Sequence, residues 1–247
     1  MTQSITCTII TLNEVERLGR TIASVQGLVD EILVVDSGST DGTQSLATSL
    51  GARVVFNKWQ GYGQQKRMAE ELALNDWILN LDADEWLSPE LAREIAQLRQ
   101  FAEWPARSFA MRLRLVYAGR DKPAPFAEYH NYVRLYDRRA TRFADSAVFD
   151  EVAPTTDVRQ LEAPAYHQSF VSLSQMVIKQ LGYFTLQKRE IKKSRWKLAL
   201  RMPIEFPTQF FKFYILRRRI FGGFYGLALS LTEAFTRTLR VFILFGW

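Results

Sequence analysis

Residues 77–85 read WILNLDADE, an apolar run that ends in three acidic side chains within four positions. A short run that is apolar on both faces is typical of a strand in a parallel sheet that helices cover on both sides. In such sheets, ligands bind beyond the carboxyl ends of the strands. We therefore expect Asp82 and Asp84, which follow the strand, to lie at a binding site.

The first 90 residues alternate strand and helix patterns. Apolar runs indicate strands, and apolar residues spaced by three and four between them indicate helices that bury one face. Gly51 is placed to close one helix, and Ser88 followed by Pro89 is placed to begin another. This alternation predicts an α/β fold with a mostly parallel sheet flanked by helices. The predicted strands occupy residues 4–10, 31–35, 53–56 and 77–81, and helical patterns occupy residues 15–25, 46–50, 64–73 and the segment after residue 88.

The middle of the chain changes character. Residues 109–117 alternate apolar with other side chains, which indicates an antiparallel strand with one buried face. A loop rich in proline and charge follows at residues 119–126, and a shorter strand is predicted around residues 132–136.

The composition is that of a globular protein. Apolar residues make up 47% of the 247 residues and charged residues 23%. A chain with this much apolar surface forms a core, so disorder as its main state is excluded. The lone cysteine, Cys7, excludes an internal disulfide framework and a zinc site built from several cysteines. No signal-peptide pattern opens the sequence, and a reducing cytosol is the expected compartment.

The net charge of +6 is unevenly distributed. Residues 186–220 carry eleven Lys and Arg against two acidic residues, whereas residues 1–185 carry a net charge of −4. The basic part is also aromatic, because residues 206–247 contain twelve Phe, Tyr and Trp. This change of composition predicts a boundary near Thr185, with a mildly acidic body at residues 1–185 and a helical, basic and aromatic tail at residues 186–247.

Asp82 and Asp84 form a D-x-D pattern that suits a hard divalent cation. Carboxylate oxygens bind Mg²⁺ or Mn²⁺ and leave coordination positions for phosphate oxygens. Such a cation stabilises a diphosphate as a leaving group. The alternative is that acidic residues after a strand only cap the next helix. The position after a buried strand, near a second strand that ends in Asp36, favours the metal site.

Three blocks of sequence resemble the hallmark motifs of family 2 glycosyltransferases with the GT-A fold, in the same order and spacing. Within that family the chain is similar to bacterial lipopolysaccharide inner-core β-glucosyltransferases, which act on heptose. The resemblance implies a GT-A catalytic domain at residues 1–185 that transfers a hexose, glucose in this subgroup, from a UDP-sugar to the inner core with inversion. The three blocks are TLNE at residues 11–14, DSGSTDGT at residues 36–43 and LDADE at residues 81–85, and weaker similarity continues through residues 132–138, 148–152, 166–169 and the aromatic tail.

The resemblance also assigns the donor side of the site. Thr11, Asn13, Glu14 and Asp36 would contact the uracil and ribose of the UDP-sugar.

Asp82 would face the ribose or the donor sugar, and Asp84 would bind the Mg²⁺ or Mn²⁺ that bridges to the diphosphate. Lys66 and Arg67, upstream of the fourth strand, are candidates for the donor site, and a solvated helix face is the alternative for this pair.

An inverting transferase needs a carboxylate base that takes the proton from the acceptor hydroxyl. Asp150 lies where similar enzymes carry this base, and Glu151 is the second candidate because Phe149 stands where many relatives have histidine. Two loop acids that only face water are the alternative.

His167, in a segment of the resemblance, is placed where the family has a histidine that completes a metal site. A structural histidine is the alternative, since a lone His more often satisfies local hydrogen bonds. His130 is a weaker candidate near the acceptor. Cys7, inside the first strand, is interpreted as a small core residue.

The tail lacks an apolar stretch of about 18 residues that would span a bilayer. Its basic residues stand beside aromatic ones, which suits the interface of an anionic membrane. We therefore expect a cytoplasmic protein, peripheral on the inner face of the inner membrane, with a lipid-linked lipopolysaccharide acceptor. The alternative is a helix that packs on the body or on another subunit of a homo-oligomer. Nucleic acid is not an expected partner, because the motif-bearing part is acidic.

Other functions are consistent with parts of this pattern. A transferase for another surface glycan would share the same motifs. A non-catalytic, membrane-bound binder of nucleotide sugars would keep the fold, although the retained Asp82, Asp84 and Asp150 argue against it. A nucleotidyltransferase would carry a Gly-rich, Arg-containing loop after the first strand, which residues 11–14 lack.

Overall fold

The computed structural model describes residues 3–146, 151–152, 157–190 and 194–245. The chain forms two compact units. The first unit contains Met1–Arg114 and Tyr129–His167, and the second unit contains Leu115–Glu128 and Gln168–Trp247. The domain boundary expected near residue 185 stays a prediction.

Within the described residues, nine strands form one sheet in the order β3-β2-β1-β4-β7-β6-β9-β5, with β8 paired to β6. The strands predicted in the first 90 residues are confirmed within one residue at each end. Three further strands, β5, β8 and β9, are three residues long and too short for a periodic pattern to reveal. The strands are β1 (Ile5–Thr11), β2 (Glu31–Asp36), β3 (Arg53–Phe56), β4 (Trp77–Asp82), β5 (Glu85–Leu87), β6 (Ser108–Leu115), β7 (Tyr129–Asp137), β8 (Val158–Gln160) and β9 (Ala165–His167).

The parallel part of the sheet aligns the polar residues that follow its strands. Strand β1 lies between β2 and β4, and both neighbours run parallel to it. The register pairs Thr11 with Asp36 and Ile10 with Asp82. The carboxyl ends of the three strands are therefore level, and their side chains meet at one edge of the sheet.

The antiparallel part brings distant residues to the same edge. Strand β7 runs antiparallel to both β4 and β6, which confirms the expected change in the middle of the chain. Strands β5 and β9 are also antiparallel, and their register pairs Glu85 with His167. This pairing places His167 beside the acidic end of β4.

Helices pack on the sheet through the apolar residues that the sequence pattern identified. In α1, Leu18, Ile22 and Val25 are fully buried. The start of α4 is confirmed, because the Ser88 hydroxyl accepts a hydrogen bond from the backbone N–H of Leu91 at 3.1 Å. The helices of the first unit are α1 (Val15–Val25), α2 (Thr43–Ser49), α3 (Tyr62–Leu72) and α4 (Pro89–Leu98).

The second unit is helical, as expected for the tail. Its helices are α5 (Leu173–Glu190), α6 (Arg195–Phe211) and α7 (Gly223–Phe245). A π-helical turn (Lys212–Leu216) and a 3₁₀ turn (Arg219–Gly222) connect α6 to α7. Among the residues that the structure describes, no helix is both long enough and apolar enough to cross a membrane.

Candidate active site

Asp36, the last residue of β2, organises the loop that follows it. Its carboxylate is fully buried and accepts hydrogen bonds from the Thr11 hydroxyl at 2.8 Å and the Gln44 amide at 2.6 Å. It also accepts bonds from the backbone N–H groups of Gly38 at 2.9 Å and Ser39 at 2.8 Å, and from the Ser39 hydroxyl. Burial alone would raise the pKa of Asp36, but the bonds from Ser39, Thr11 and Gly38 outweigh it, and the pKa is lowered. The structure therefore places Asp36 as an ionised anchor of the loop.

The loop after β1 is tied to the loop after β2. The backbone N–H of Asn13 donates to the Ser39 hydroxyl at 2.8 Å, and the Asn13 side-chain oxygen accepts from the backbone N–H of Thr40 at 2.9 Å. The backbone N–H of Glu14 donates to the Thr43 hydroxyl at 2.8 Å. Asn13 has φ of 57°, a left-handed conformation that Asn adopts more readily than most residues. Thr11, Asn13, Glu14 and Asp36 thus belong to one hydrogen-bonded framework, and their contacts with a nucleoside stay a prediction.

Asp82, the last residue of β4, lies between two cations. Its Oδ1 is 2.7 Å from Nζ of Lys66, and its Oδ2 is 3.1 Å from Nη2 of Arg134. The Lys66 side chain is fully buried, so it does not lie on a solvated helix face. Burial would raise the pKa of Asp82, but the charges of Lys66 and Arg134 reverse this effect and lower it. Asp82 is therefore ionised and held in place from both sides.

Arg134 connects Asp82 to a second carboxylate. Its Nη2 is 2.6 Å from Oε1 of Glu85, whose side chain is almost completely buried. The other Glu85 oxygen accepts the backbone N–H of Asp82 at 3.1 Å. Burial raises the pKa of Glu85 to about 7, although the Arg134 guanidinium lowers it in part. Glu85 supports the end of β4 from inside the protein.

Asp84 lies between Arg17 and His167. Nη1 of Arg17 is 3.0 Å from Oδ2 of Asp84, and Nε2 of His167 is 3.5 Å from Oδ1. Arg17 also forms two hydrogen bonds to the Glu14 carboxylate, at 2.8 and 2.6 Å. Burial would lower the pKa of His167, but its hydrogen bond to Asp84 and the nearby carboxylates raise it. The structure brings together Asp84, His167 and the loop that carries Glu14.

The donor atoms around Asp84 fit a divalent cation that is completed by a substrate. Oδ1 of Asp84 and Nε2 of His167 are adjacent, and a carboxylate and an imidazole are both ligands that Mn²⁺ accepts. Among the described residues, no group of three or more His, Cys, Asp or Glu side chains is arranged to hold a metal on its own. Mg²⁺ sites commonly use one or two protein ligands and take the remainder from phosphate and water. The residues present are therefore compatible with the predicted metal, with phosphate oxygens as further ligands.

Glu151, the second candidate for the catalytic base, lines a pocket next to Arg134. The pocket has a volume of about 210 Å³, and Glu151 is exposed at its wall. Phe143 and Val152 form an isolated antiparallel bridge across this region. Asp150 lies outside the described residues. The pocket is lined by Asn131, Tyr132, Val133, Arg134, Phe143, Glu151 and Val152.

Helix α3 holds Phe143 at this pocket through a buried carboxylate. Glu70 is fully buried and accepts the backbone N–H of Phe143 at 3.0 Å, the Tyr136 hydroxyl at 2.6 Å and Nε of Arg142 at 3.0 Å. Nζ of Lys66 lies 5.1 Å from the centre of the Phe143 ring. Burial raises the pKa of Glu70, although its three partners oppose the shift. One face of α3 therefore positions both Asp82 and Phe143.

Sequence reasoning missed three charged residues of this network. Arg17 and Glu70 lie on helices whose patterns showed only which face is apolar. Arg134 is 4% exposed in β7, within an otherwise apolar run of residues 132–136. A charged residue inside such a run is a signal for a buried ion pair, because a buried charge requires a partner. His130, the weaker acceptor candidate, is exposed and does not line this pocket.

Comparisons with known proteins agree with this fold and these motifs. Residues 6–145 match the family described as Glycosyl transferase family 2. An uncharacterized glycosyltransferase of Rickettsia felis is 39% identical over 252 residues, which covers 97% of this chain and 88% of the relative. The lipopolysaccharide core biosynthesis glycosyltransferase LpsC of Rhizobium meliloti is 41% identical over 95 residues, covering 36% of this chain and 35% of LpsC. The crystal structure of TarS of S. aureus has a TM-score of 0.51 at 16% identity, covering 72% of this chain and 40% of that chain.

The structural likeness to TarS shows the fold, which is that of the GT-A glycosyltransferases. The chain belongs to glycosyltransferase family 2, and the expected family and fold class are confirmed.

Proposed function

We propose that this glycosyltransferase moves a hexose, glucose as the first candidate, from a UDP-sugar to a heptose of the lipopolysaccharide inner core. The observation that carries the proposal is the meeting of Asp82, Asp84 and His167 at the carboxyl edge of the sheet, beside the framework of Asp36. The partial likeness to LpsC, a lipopolysaccharide core transferase by name, supports the acceptor class.

The donor side requires a place for the nucleoside and a place for the diphosphate. The loops after β1 and β2 are held rigid by the bonds around Asp36, so they are preorganised to receive a flat base and a ribose. Preorganised loops lose little conformational freedom on binding, which favours affinity. Thr11, Asn13 and Glu14 are our candidates for nucleoside contacts, and Asp82, held by Lys66, is the candidate for the ribose or the sugar.

Asp84 and His167 would hold Mg²⁺ or Mn²⁺ in this proposal. When bound, such a cation neutralises charge on the diphosphate and makes it a better leaving group. Arg17 holds Asp84 through its other carboxylate oxygen, so that Oδ1 remains directed to the side of His167.

The chemical step is a displacement at the anomeric carbon of the donor. The acceptor hydroxyl oxygen forms a bond to this carbon while the bond from the carbon to the diphosphate oxygen breaks. The electron pair leaves with UDP, and the hydroxyl proton passes to a carboxylate. Asp150 and Glu151 are the candidates for this base, and the place of Glu151 in the pocket beside Arg134 supports its nearness to the donor.

The acceptor would be a lipid-linked glycan, reached at the cytoplasmic face of the inner membrane. The basic and aromatic composition of residues 186–247 supports this location, since cations and aromatic rings favour an anionic lipid interface.

The test measures UDP release by the full chain with UDP-glucose, UDP-galactose or UDP-N-acetylglucosamine, each with and without a heptose-terminated lipopolysaccharide. We expect release with one donor to rise when acceptor is added, and the acceptor to gain the mass of one hexose. Asp84→Asn, prepared in the same way, controls for contaminating transferases. A non-catalytic binder would bind the nucleotide sugar and release no UDP with any acceptor, and this result would refute the proposal.

A further inference from the structure

The second unit exposes a group of large apolar side chains where α6 turns into α7. We name this group the aromatic corner and define it as Phe126, Leu216, Ile220, Phe221 and Phe224. Phe224 is 79% exposed, Phe126 61% and Phe221 53%. The Phe126 and Phe221 rings are in contact, with centres 5.0 Å apart. Clustered exposed rings of this kind mark an interaction surface more often than scattered single residues do.

The backbone of the corner is closely packed at its glycine residues. A Cβ at Gly226 would overlap the carbonyl group of Arg219, and a Cβ at Gly222 would overlap the ring of Tyr117. Gly223 has φ of 58°, a conformation that glycine adopts without strain. Glycines at these positions therefore permit a sharp corner that leaves Phe221 and Phe224 on the outside.

An ion-pair network fixes the same corner from within. Nη1 of Arg217 is 2.8 Å from one oxygen of Glu128, and Nε of Arg219 is 2.8 Å from the other. Both guanidinium groups also lie over the Phe213 ring, at 5.0 and 4.8 Å from its centre. Arg217 and Arg219 thus serve the internal structure of the second unit.

Left-handed backbone conformations occur at Phe126 of the corner and at the neighbouring Arg218, both of which are exposed. Phe126 has φ of 55° and Arg218 has φ of 57°. A left-handed conformation is unusual for a bulky aromatic residue. Both side chains are nevertheless exposed.

The charges around the corner are mostly positive. The segments 115–128 and 212–226 together contain six basic and two acidic residues. Lys212 and Arg218 are exposed, and Arg120 is exposed above the Tyr225 ring at 4.6 Å from its centre. This combination of outward rings with surrounding cations suits a layer that is apolar inside and anionic at its surface.

We infer that the aromatic corner is a docking surface for an anionic lipid bilayer, with Phe221 and Phe224 entering the interface and Arg218 meeting the headgroups. A second copy of the chain is a poorer occupant, because a two-fold contact would place the same positive surface against itself. The inference rests on the proposed function only in that a lipid-linked acceptor brings the protein to a membrane.

The experiment is co-sedimentation of the full chain with vesicles, without donor or acceptor. Vesicles of phosphatidylcholine are compared with vesicles that also contain phosphatidylglycerol. Phe221→Ser/Phe224→Ser removes the rings, and Phe101→Ser is the matched control because Phe101 is 60% exposed in the first unit. Arg218→Asn removes a charge and keeps a residue that tolerates positive φ, and Arg93→Gln on α4 is its control.

We expect the double Phe variant to lower the partition coefficient by about tenfold or more on both vesicle types. Arg218→Asn should lower it about fivefold on anionic vesicles only, and both controls should bind as wild type. Thermal melts of the variants should match wild type, because the replaced side chains are exposed.

The inference is wrong if wild type ignores anionic vesicles, or if the double Phe variant binds them as wild type does. Light scattering without lipid tests whether a second copy of the chain occupies the corner instead. If wild type is a dimer, the double Phe variant is a monomer and vesicle binding is unchanged, the corner serves self-association. Vesicle binding without UDP release from any donor would refute the proposed function and leave the docking surface intact.

Discussion

Replacing Asp36 tests whether this carboxylate holds the two nucleoside-side loops together. Its Oδ1 accepts three N–H groups, from Gly38, Ser39 and Gln44, and its Oδ2 accepts the hydroxyls of Thr11 and Ser39. In Asp36→Asn the amide oxygen can keep the N–H bonds, and the hydroxyls can turn to accept from the amide nitrogen. The number of bonds is conserved, and only the charge on the acceptor is lost.

The magnitude follows from this count. A hydrogen bond to a charged acceptor contributes about 1.5–3 kcal/mol and one to a neutral acceptor about 0.5–1.5 kcal/mol. Weakening the five bonds by about 0.5–1 kcal/mol each, at a partly buried site, should lower the free energy of unfolding by about 2.5–5 kcal/mol. Asp36→Ala should cost more, since it leaves the partly buried N–H groups of Gly38 and Ser39 without their acceptor.

Urea denaturation at neutral pH measures this change. Asp41→Asn is the control, because Asp41 is an exposed carboxylate of the same loop, and we expect it to cost about 1 kcal/mol or less. The native pKa of Asp36 lies below its ordinary value of 3.8, so its stabilisation is present above that pH and is lost as the pH falls below it. The difference between wild type and Asp36→Asn should therefore shrink in acid. If Asp36→Asn is as stable as wild type and only its binding of the donor is weakened, then Asp36 does not organise the two loops.

Three further predictions concern the other carboxylates. Asp84→Asn should lower the rate of transfer by about 10³-fold or more while the fold is retained. EDTA should inactivate wild type until Mn²⁺ is added back. Full activity in excess chelator would refute the proposed metal dependence. Asp150→Asn and Glu151→Gln each remove one candidate base. The variant that lacks the true base should have a kcat lower by about 10²–10⁴-fold and an unchanged KM for the donor. Near-normal turnover in both variants would show that the base lies elsewhere. Because burial raises the pKa of Glu70 above its ordinary value of 4.5, the native state binds this proton more tightly than the unfolded state does. The difference in free energy of unfolding between wild type and Glu70→Gln should therefore move against wild type as the pH rises above 4.5. Urea denaturation at several pH values measures this difference, and a constant value would contradict the prediction.

The sequence by itself determined the parallel half of the sheet and the position of its acidic ends. Local information was sufficient there, because each strand is a short apolar run and each helix buries one face. The cap at Ser88 is equally local, since the hydroxyl bonds to an N–H only three residues away. The D-x-D pattern and the block at residues 36–43 likewise predicted the family, which the comparisons confirm.

Only the tertiary structure decided which charges meet. Arg17 reaches Asp84 across 67 positions of the chain, and Arg134 reaches Asp82 across 52. Short strands such as β5 and β9 have no periodic signal, yet their pairing brings His167 to the acidic end of β4. The physical reason is that a buried charge is stabilised by whichever opposite charge the fold brings within a few ångströms. That distance depends on sheet order and register, which no local pattern of side chains encodes.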